Sequence, residues 1–370
     1  MLRIHPFQAL RPSAAKAREF SCERLDHLSE AAWREVAARA PRSVAALASG
    51  LGDTDLVEAC RASKALIEES APTMYMHRQV KGGRRVAGLI ALLDASTLRE
   101  GVVRPMRLAC PARSEAWRAA QNRTSLQMDS VIVGFHADET TLDLFEREMN
   151  DRPLFHVVAD DGATHTFWSG RRADDLAAAF ANVGRGYLLE GHARAHGPSP
   201  DGRLLAVLTP LDAIAAHWAV RRITGEAAAG VRSWLLEHGR EVAEPGEPPA
   251  GWADACVASG AERRWFRFQL PAPRRGGSSI QATDHGRLDA CLEAATGPQV
   301  ADRGERVPGD SRPAAVERLA EGGVAVVLSR PSVADLTALA DQGELLPHGS
   351  TWFEPRIRSG LWMRRTTMPE

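Results

Sequence analysis

Gly186-Tyr187-Leu188-Leu189-Glu190-Gly191-His192-Ala193-Arg194 is a mostly apolar run that stops at a glycine and opens into a polar triplet. Residues 186–190 predict a buried strand, Gly191 a tight turn, and the residues after it a helix start. A strand, a glycine and then a basic residue at a helix start is one way to build an anion site. Free backbone N–H groups and the helix dipole point at the ligand, and an arginine adds a fork of donors. An ordinary turn carrying a solvated arginine has the same appearance, and the stretch by itself leaves both readings open.

The surroundings narrow the class. A chain of 370 residues suggests about two domains, and 44% hydrophobic with 25% charged residues is a composition that fills a core. A formal net charge of −1 argues against a nucleic-acid partner. Arg84-Arg85 and Arg274-Arg275 read as solvated loop charges. The five cysteines (Cys22, Cys60, Cys110, Cys256, Cys291) are odd in number and widely spaced, with no C-x-x-C, so reduced thiols in a cytoplasmic protein are expected. No apolar run approaches the roughly eighteen residues of a membrane span, so no membrane partner is expected.

Along the chain, strands and helices alternate. Helices are expected from Ser29 as N-cap to Pro41, over 55–70 behind Asp53-Thr54, and over 115–127, 140–149, 171–182, 286–296, 312–321 and 332–341, the last capped by Ser332. Hairpins are expected around Gly82-Gly83 and Gly162. Buried strands are expected at 129–135, 204–208 and 324–328, the last of parallel type. His217 to Thr224 reads as a further strand, and Trp265-Phe266-Arg267-Phe268 as another. Glu244-Pro245-Gly246-Glu247-Pro248-Pro249 makes 237–252 the linker candidate. The expected organisation is an N-terminal α/β region at 1–236, that linker or loop, and a C-terminal α/β region at 253–370, giving a mixed α/β (α+β) fold.

Several familiar chemistries are missing: there is no P-loop, no G-x-S-x-G elbow, no H-E-x-x-H and no strand followed by G-x-G-x-x-G. His192 and His196 have metal-ligand spacing for a helix, but Gly197 and Pro198 interrupt that helix, so no metal site is assigned. The stretch 346–360, Leu-Pro-His-Gly-Ser-Thr-Trp-Phe-Glu-Pro-Arg-Ile-Arg-Ser-Gly, admits two readings. Ser350 and Thr351 offer hydroxyls and Arg356 a charge for a phosphate or carboxylate. Equally, it is a closing segment whose aromatics plug the core.

Taken together, several stretches resemble one prokaryotic family, domain-of-unknown-function family 1015. Ile4, Pro6, Phe7, Leu10 and Arg11 resemble its I-x-P-F-x-x-L-R opening. Asp26 through Ser29 stand for a reduced P-P-Y-D-V-I-S segment, and Gly88-Leu89-Ile90-Ala91-Leu92 for G-F-I-A-L. Leu189 through Arg194 resemble A-D-G-H-H-R, and Arg221-Arg222-Ile223-Thr224 a later H-R before a β-branched pair. Leu346 through Gly360 resemble M-P-x-K-S-T-x-F-x-P-K-x-x-S-G. The resemblance implies a ParB/sulfiredoxin-like nucleotide-binding core related to kinases of free serine. It implies ATP or ADP with Mg2+ as cofactor and a small serine-like metabolite as substrate. Gly191, Arg194, Arg222, Ser350 and Thr351 would bind phosphate. His192 would contact the transferring group, and Asp26 or Glu190 would act as base or magnesium ligand.

The departures bear on chemistry. Met106-Arg107-Leu108-Ala109 replaces the family's H-E-R-T, so Arg107 stands where a carboxylate is expected. Ala193 replaces a histidine, Gly349 a lysine and Glu190 an aspartate, and Gly197, Pro198 and Pro200 break the following helix. Phosphoryl transfer relies on positioning, charge neutralisation and a carboxylate for the nucleophile. Three functions therefore follow as expectations: a small-molecule kinase, a catalytically degenerate nucleotide- or metabolite-binding protein acting through a protein partner, or a structural protein with no ligand.

Overall fold

The computed structural model describes residues 1–25, 30–51, 55–197, 200–273, 276–297, 304–307 and 311–366. Ser29, Asp53-Thr54, Pro198 and Arg274-Arg275 lie outside the described residues. The fold is mixed α+β, and the chain separates into two compact units, one of 1–214 with 355–370 and one of 215–354. The sequence-based division at 237–252 does not coincide with this one. That stretch lies inside the second unit, where Arg240–Glu241 pairs with a longer strand.

In the first unit the strands are β1 (Ile4–His5), β2 (Leu10–Pro12), β3 (Leu66–Glu68), β4 (Tyr75–Lys81), β5 (Arg84–Asp94), β6 (Val103–Pro105), β7 (Leu126–Gln127), β8 (Val131–Phe135), β9 (Phe155–Val158), β10 (Thr164–Ser169), β11 (Gly186–Glu190) and β12 (Arg203–Pro210). The main sheet runs β6-β11-β8-β12-β5-β4-β10-β9, with β1 against β5. Both expected hairpins form, β4–β5 and β9–β10. The expected helix over 55–70 is shorter, Leu56–Ala62. Lys64 takes a left-handed φ of 56°, which stops a helix of L-residues, and the chain then extends as β3 against β2.

One face of this sheet is apolar and closed by the helices Glu139–Met149 and Ala173–Ala181. Met76, Leu89, Val133, Leu188 and Leu208 from the sheet pack with Phe145, Leu176 and Phe180. Burying side chains of that size contributes about 1.5–3 kcal/mol each. Asp138 caps the first of these helices by accepting from Thr141 N–H. A second cluster joins Phe20, Trp33, Leu47, Trp117, Leu126 and Met363.

The register of β11 on β8 matters for function. Leu188 pairs with Val133 but Glu190 pairs with Ile132, a shift of one residue between them. Two residues of β11 thus span one step of β8, and Leu188 and Glu190, which a regular strand would put on one side, face opposite sides of the sheet. Leu188 goes into the helix-covered core, and Glu190 goes to the other face.

The second unit holds β13 (Ala215–Trp218), β14 (Val220–Thr224), β15 (Arg240–Glu241), β16 (Trp252–Ser259), β17 (Glu262–Gln269), β18 (Glu305–Val307), β19 (Gly323–Leu328) and β20 (Thr351–Glu354). The expected single strand 217–224 is two, β13 pairing with β20 and β14 with β19. The 324–328 strand is antiparallel to both neighbours, not parallel. Its continuous apolar run reflects burial on both faces, which parallel and antiparallel central strands share. Ser332 caps Val333–Asp341 as expected. The chain then returns to the first unit, where β21 (Arg364–Arg365) pairs with β7. Among the described residues no helix is long and apolar enough to cross a membrane.

Candidate functional site

Glu190, Gly191, His192 and Arg194 come together at the end of β11. Gly191 has a φ of 89° and caps a single helical turn, His192–Ala195. A glycine is required here, because a Cβ would lie 2.7 Å from Arg194 Nη2 and 2.9 Å from Val131 Cγ1. One turn of helix carries little dipole, so the side chains set the electrostatics of this site.

Two arginine-centred groups flank the turn. On one side Arg107 Nη2 donates to Glu190 Oε2 at 2.6 Å, and Arg107 Nε donates to His192 Nδ1 at 3.2 Å. The Glu190 side chain is fully buried and that of Arg107 is 8% exposed. Because His192 Nδ1 accepts from Arg107, its ring proton belongs on Nε2.

On the other side Arg194 Nη2 donates to the Ser130 carbonyl at 2.5 Å, and Arg24 Nη2 donates to the same oxygen at 2.9 Å. Asp129 anchors this group. Its carboxylate accepts from Ser130 N–H (2.8 Å) and from the Ser359 hydroxyl (2.6 Å), with Arg194 Nη1 at 3.5 Å and Arg24 Nη1 at 3.7 Å. The Arg194 guanidinium also lies 5.0 Å over the Trp117 ring. A cavity of about 20 Å³ touches Trp117, Gln121, Asp129, Ala193 and Arg194. That is room for about one water molecule.

The C-terminal segment completes the wall. Ser359 exchanges backbone hydrogen bonds with Cys22, and its Oγ accepts from Leu25 N–H. Arg358 donates to the Ser21 hydroxyl and carbonyl. Arg364 forks onto Asp201 and bonds Gln127 Oε1. The five cysteines are free. Burial pushes the Cys22 thiol up to about 12, which keeps it out of nucleophilic chemistry. On β4 and β10, His77 Nε2 and His165 Nδ1 share a hydrogen bond of 3.0 Å. Burial, followed by the charge of Arg358, pulls His165 down to about 4; burial and His165 lower His77 well below the usual histidine range.

Arg222, Ser350 and Thr351 belong to the second unit. Arg222 is half-buried with Glu305 at 3.8 Å, whereas its neighbour Arg221 is buried and donates to Asp289 at 2.5 Å. Ser350 Oγ donates to the Pro347 carbonyl, closing a turn, and Thr351 begins β20 opposite Trp218. Asp26 lies outside the described residues. Asp129, Ser130 and Arg24, which the sequence did not single out, and Ser359, which it gave only as part of the closing segment, organise half of the cluster. Asp129-Ser130 is a polar pair heading an apolar strand, which is the one signal it carried.

The family described as "Protein of unknown function (DUF1015)" matches residues 4–197, just over half of the chain, a span that includes Arg107, Asp129 and the Gly191 turn. A search of curated protein sequences gives no match. Among solved structures, SbnI with a C-terminal truncation from Staphylococcus aureus is similar at 12% identity and a TM-score of 0.38, over 74% of this chain and 85% of that one. A free serine kinase in complex with AMP is similar at 10% identity and a TM-score of 0.37, over 75% and 92%. A conserved hypothetical protein from Pyrococcus furiosus is similar at 10% identity and a TM-score of 0.35, over 74% and 95%. At these values the likeness bears on neither activity nor substrate.

Proposed function

The chain belongs to the DUF1015 family, and we propose that it is a kinase-like nucleotide-binding protein with a ParB/sulfiredoxin-like core, taking ATP or ADP at the Gly191 turn. The observation that carries this reading is the convergence of Arg107 and Arg194 on the two sides of a left-handed glycine that brings backbone and guanidinium into contact. Paired guanidinium forks beside a tight glycine turn suit a phosphate better than any neutral ligand. In this reading Arg194 meets the phosphate at the turn, and His192, with its proton on Nε2, donates to a phosphoryl oxygen.

Transfer of phosphate to a serine-like hydroxyl is the more demanding version of this reading. It needs a carboxylate to receive the hydroxyl proton. Arg107 withdraws Glu190 from that role by pairing with it in the interior, which leaves Asp26. The geometry therefore favours binding over transfer, and a degenerate family member that signals nucleotide occupancy to a protein partner is the function it supports best.

Magnesium is the usual companion of such nucleotides, and the donor set at the turn does not suit it. Among the described residues no group of three or more His, Cys, Asp and Glu side chains is placed to hold a metal. The carboxylate nearest the turn, Glu190, already holds a guanidinium.

The test is to incubate the full chain with ATP or ADP and magnesium, with a panel of hydroxy amino acids, and to follow both thermal stability and phosphate transfer. Stabilisation by nucleotide without transfer is expected. Transfer to a hydroxy amino acid would make the protein a kinase, and neither response would overturn the reading.

A further inference from the structure

We propose that the second unit carries a binding site of its own, for a small, uncharged and largely apolar organic molecule, in a cavity between the helices Gly225–His238 and Asp284–Thr296. The cavity has a volume of about 480 Å³, and the residues that line it all belong to that unit. It shares none of them with the Gly191 turn, so it stands whether or not that turn takes a nucleotide. Pockets for small molecules enclose about 300–1,000 Å³ within mostly apolar walls.

The sequence opens this space and the packing holds it open. Gly286, Ala290 and Ala294 follow at four-residue steps on the second helix, so they share a face, and all three line the cavity. Trp234, Ile280 and Pro271 supply more of the apolar wall. Close backbone approaches on either side fix the spacing. A Cβ on Gly230 would lie 2.6 Å from the Ala295 carbonyl oxygen, and one on Gly286 would collide with the Ile280 carbonyl. Trp234 is held in place as well: His238 stacks on it at 4.7 Å, and Phe268 meets it in a T-shaped contact at 5.2 Å. Arg287 pins the adjoining loop by donating to the Leu270 and Pro271 carbonyls at 2.9 and 2.6 Å. The site is therefore preformed, and little has to be ordered when a ligand enters.

The lining also selects the ligand's charge. Among the described residues that line the cavity, Arg287 is the one arginine or lysine, and its guanidinium is taken up by those two carbonyls and by Asp284 Oδ1 at 2.7 Å. Asp289 and Glu293 add carboxylates to the lining, so an anion meets like charge. Asp289 already holds Arg221 at 2.5 Å, which reduces its pull on a cation. Cys291 brings no chemistry of its own. Burial pushes its thiol up to about 11, and it lines the cavity as a small apolar group. What the cavity offers is apolar area, with the amides of Gln269 and Gln281 for a polar edge.

The experiment is fluorescence titration of the full chain with two dyes that share one aromatic body. N-phenylnaphthylamine is uncharged, and anilinonaphthalene sulfonate carries an added anion. The uncharged dye is expected to bind saturably, and the sulfonate at least about tenfold more weakly. Ala290→Phe puts a ring into the cavity and is expected to weaken the uncharged dye by about tenfold or more, with the melting temperature as the check on folding. Where that variant does not fold, Ala294→Phe, at an exposed position on the same helix face, takes its place. No saturable binding of the uncharged dye, or equal binding in the wild type and the folded variant, overturns the site. Tighter binding of the sulfonate overturns the assignment of an uncharged ligand.

Discussion

Arg107 Nη2 lies 2.6 Å from Glu190 Oε2 across 83 residues of sequence, and the Glu190 side chain is completely buried. The pair exists because a register shift at the end of β11 turns Glu190 away from the helix-covered core. Without that shift a carboxylate would point among Phe145, Leu176 and Phe180. The bulge and the arginine are thus two halves of one solution to a buried charge.

Breaking the pair from one side is expected to be costly. Arg107→Met should destabilise the protein by about 3–5 kcal/mol, whereas Arg107→Met with Glu190→Gln should recover most of that loss. Urea denaturation of the single and double variants checks this. Equal losses in both would mean that the pair is not the local determinant of stability.

Gly191→Ala forces a side chain into a left-handed position and onto Arg194. Backbone strain alone costs about 1–3 kcal/mol. The variant should remain folded with a lower melting temperature and show weakened nucleotide binding, because the displaced guanidinium no longer holds its place. Thermal shift with and without ADP measures both effects.

Ser359→Ala removes a hydrogen bond to the buried Asp129 carboxylate. A loss of about 1.5–3 kcal/mol is expected from a bond of that class. A change near zero would show that Ser359 only fills space. Its neighbour Gly360 has a φ of 81° and sits against Val44, which fixes where the returning segment lies.

Acid should weaken the first unit through its buried histidine pair. His165 is held down to about 4 from the ordinary 6.5, so the native state resists a proton that the unfolded chain accepts. Its contribution is complete above about pH 6.5 and is lost as the pH falls toward about 4, on the order of 3 kcal/mol for a shift of that size. Melting temperatures of the wild type and His165→Gln between pH 7 and pH 5 test this. The wild type should fall more steeply.

Residues 215–354 form a compact unit of their own, and the chain expressed over that range should unfold cooperatively. Residues 1–214 expressed without 355–370 lose the Ser359–Asp129 and Arg364–Asp201 contacts and should be protease-sensitive. Limited proteolysis of the two pieces compares them.

Local signals carried most of the strand and helix pattern. The glycine pair at 82–83, the cap Ser332, and the apolar run before Gly191 all correspond to elements of the fold. What stayed hidden was long-range pairing. Nothing near Arg107 announces that it meets Glu190, and nothing near Asp129 announces Ser359, 230 residues away. Arg222 stands for the arginine of the H-R pair, but the strand buries Arg221 and leaves Arg222 half-exposed. Ser350 drew notice as a hydroxyl, yet its hydrogen goes to a carbonyl three residues back. Side-chain direction on a strand and closure of a turn are decided by register, which composition and spacing do not contain.

The most direct measurement is calorimetric titration of ADP into the wild-type chain and into Arg194→Gln, both confirmed as folded. Loss of affinity by about tenfold or more in the variant, the worth of a charged contact to phosphate, is predicted. Equal affinity in the two proteins would place the nucleotide elsewhere and contradict the assignment of the Gly191 turn.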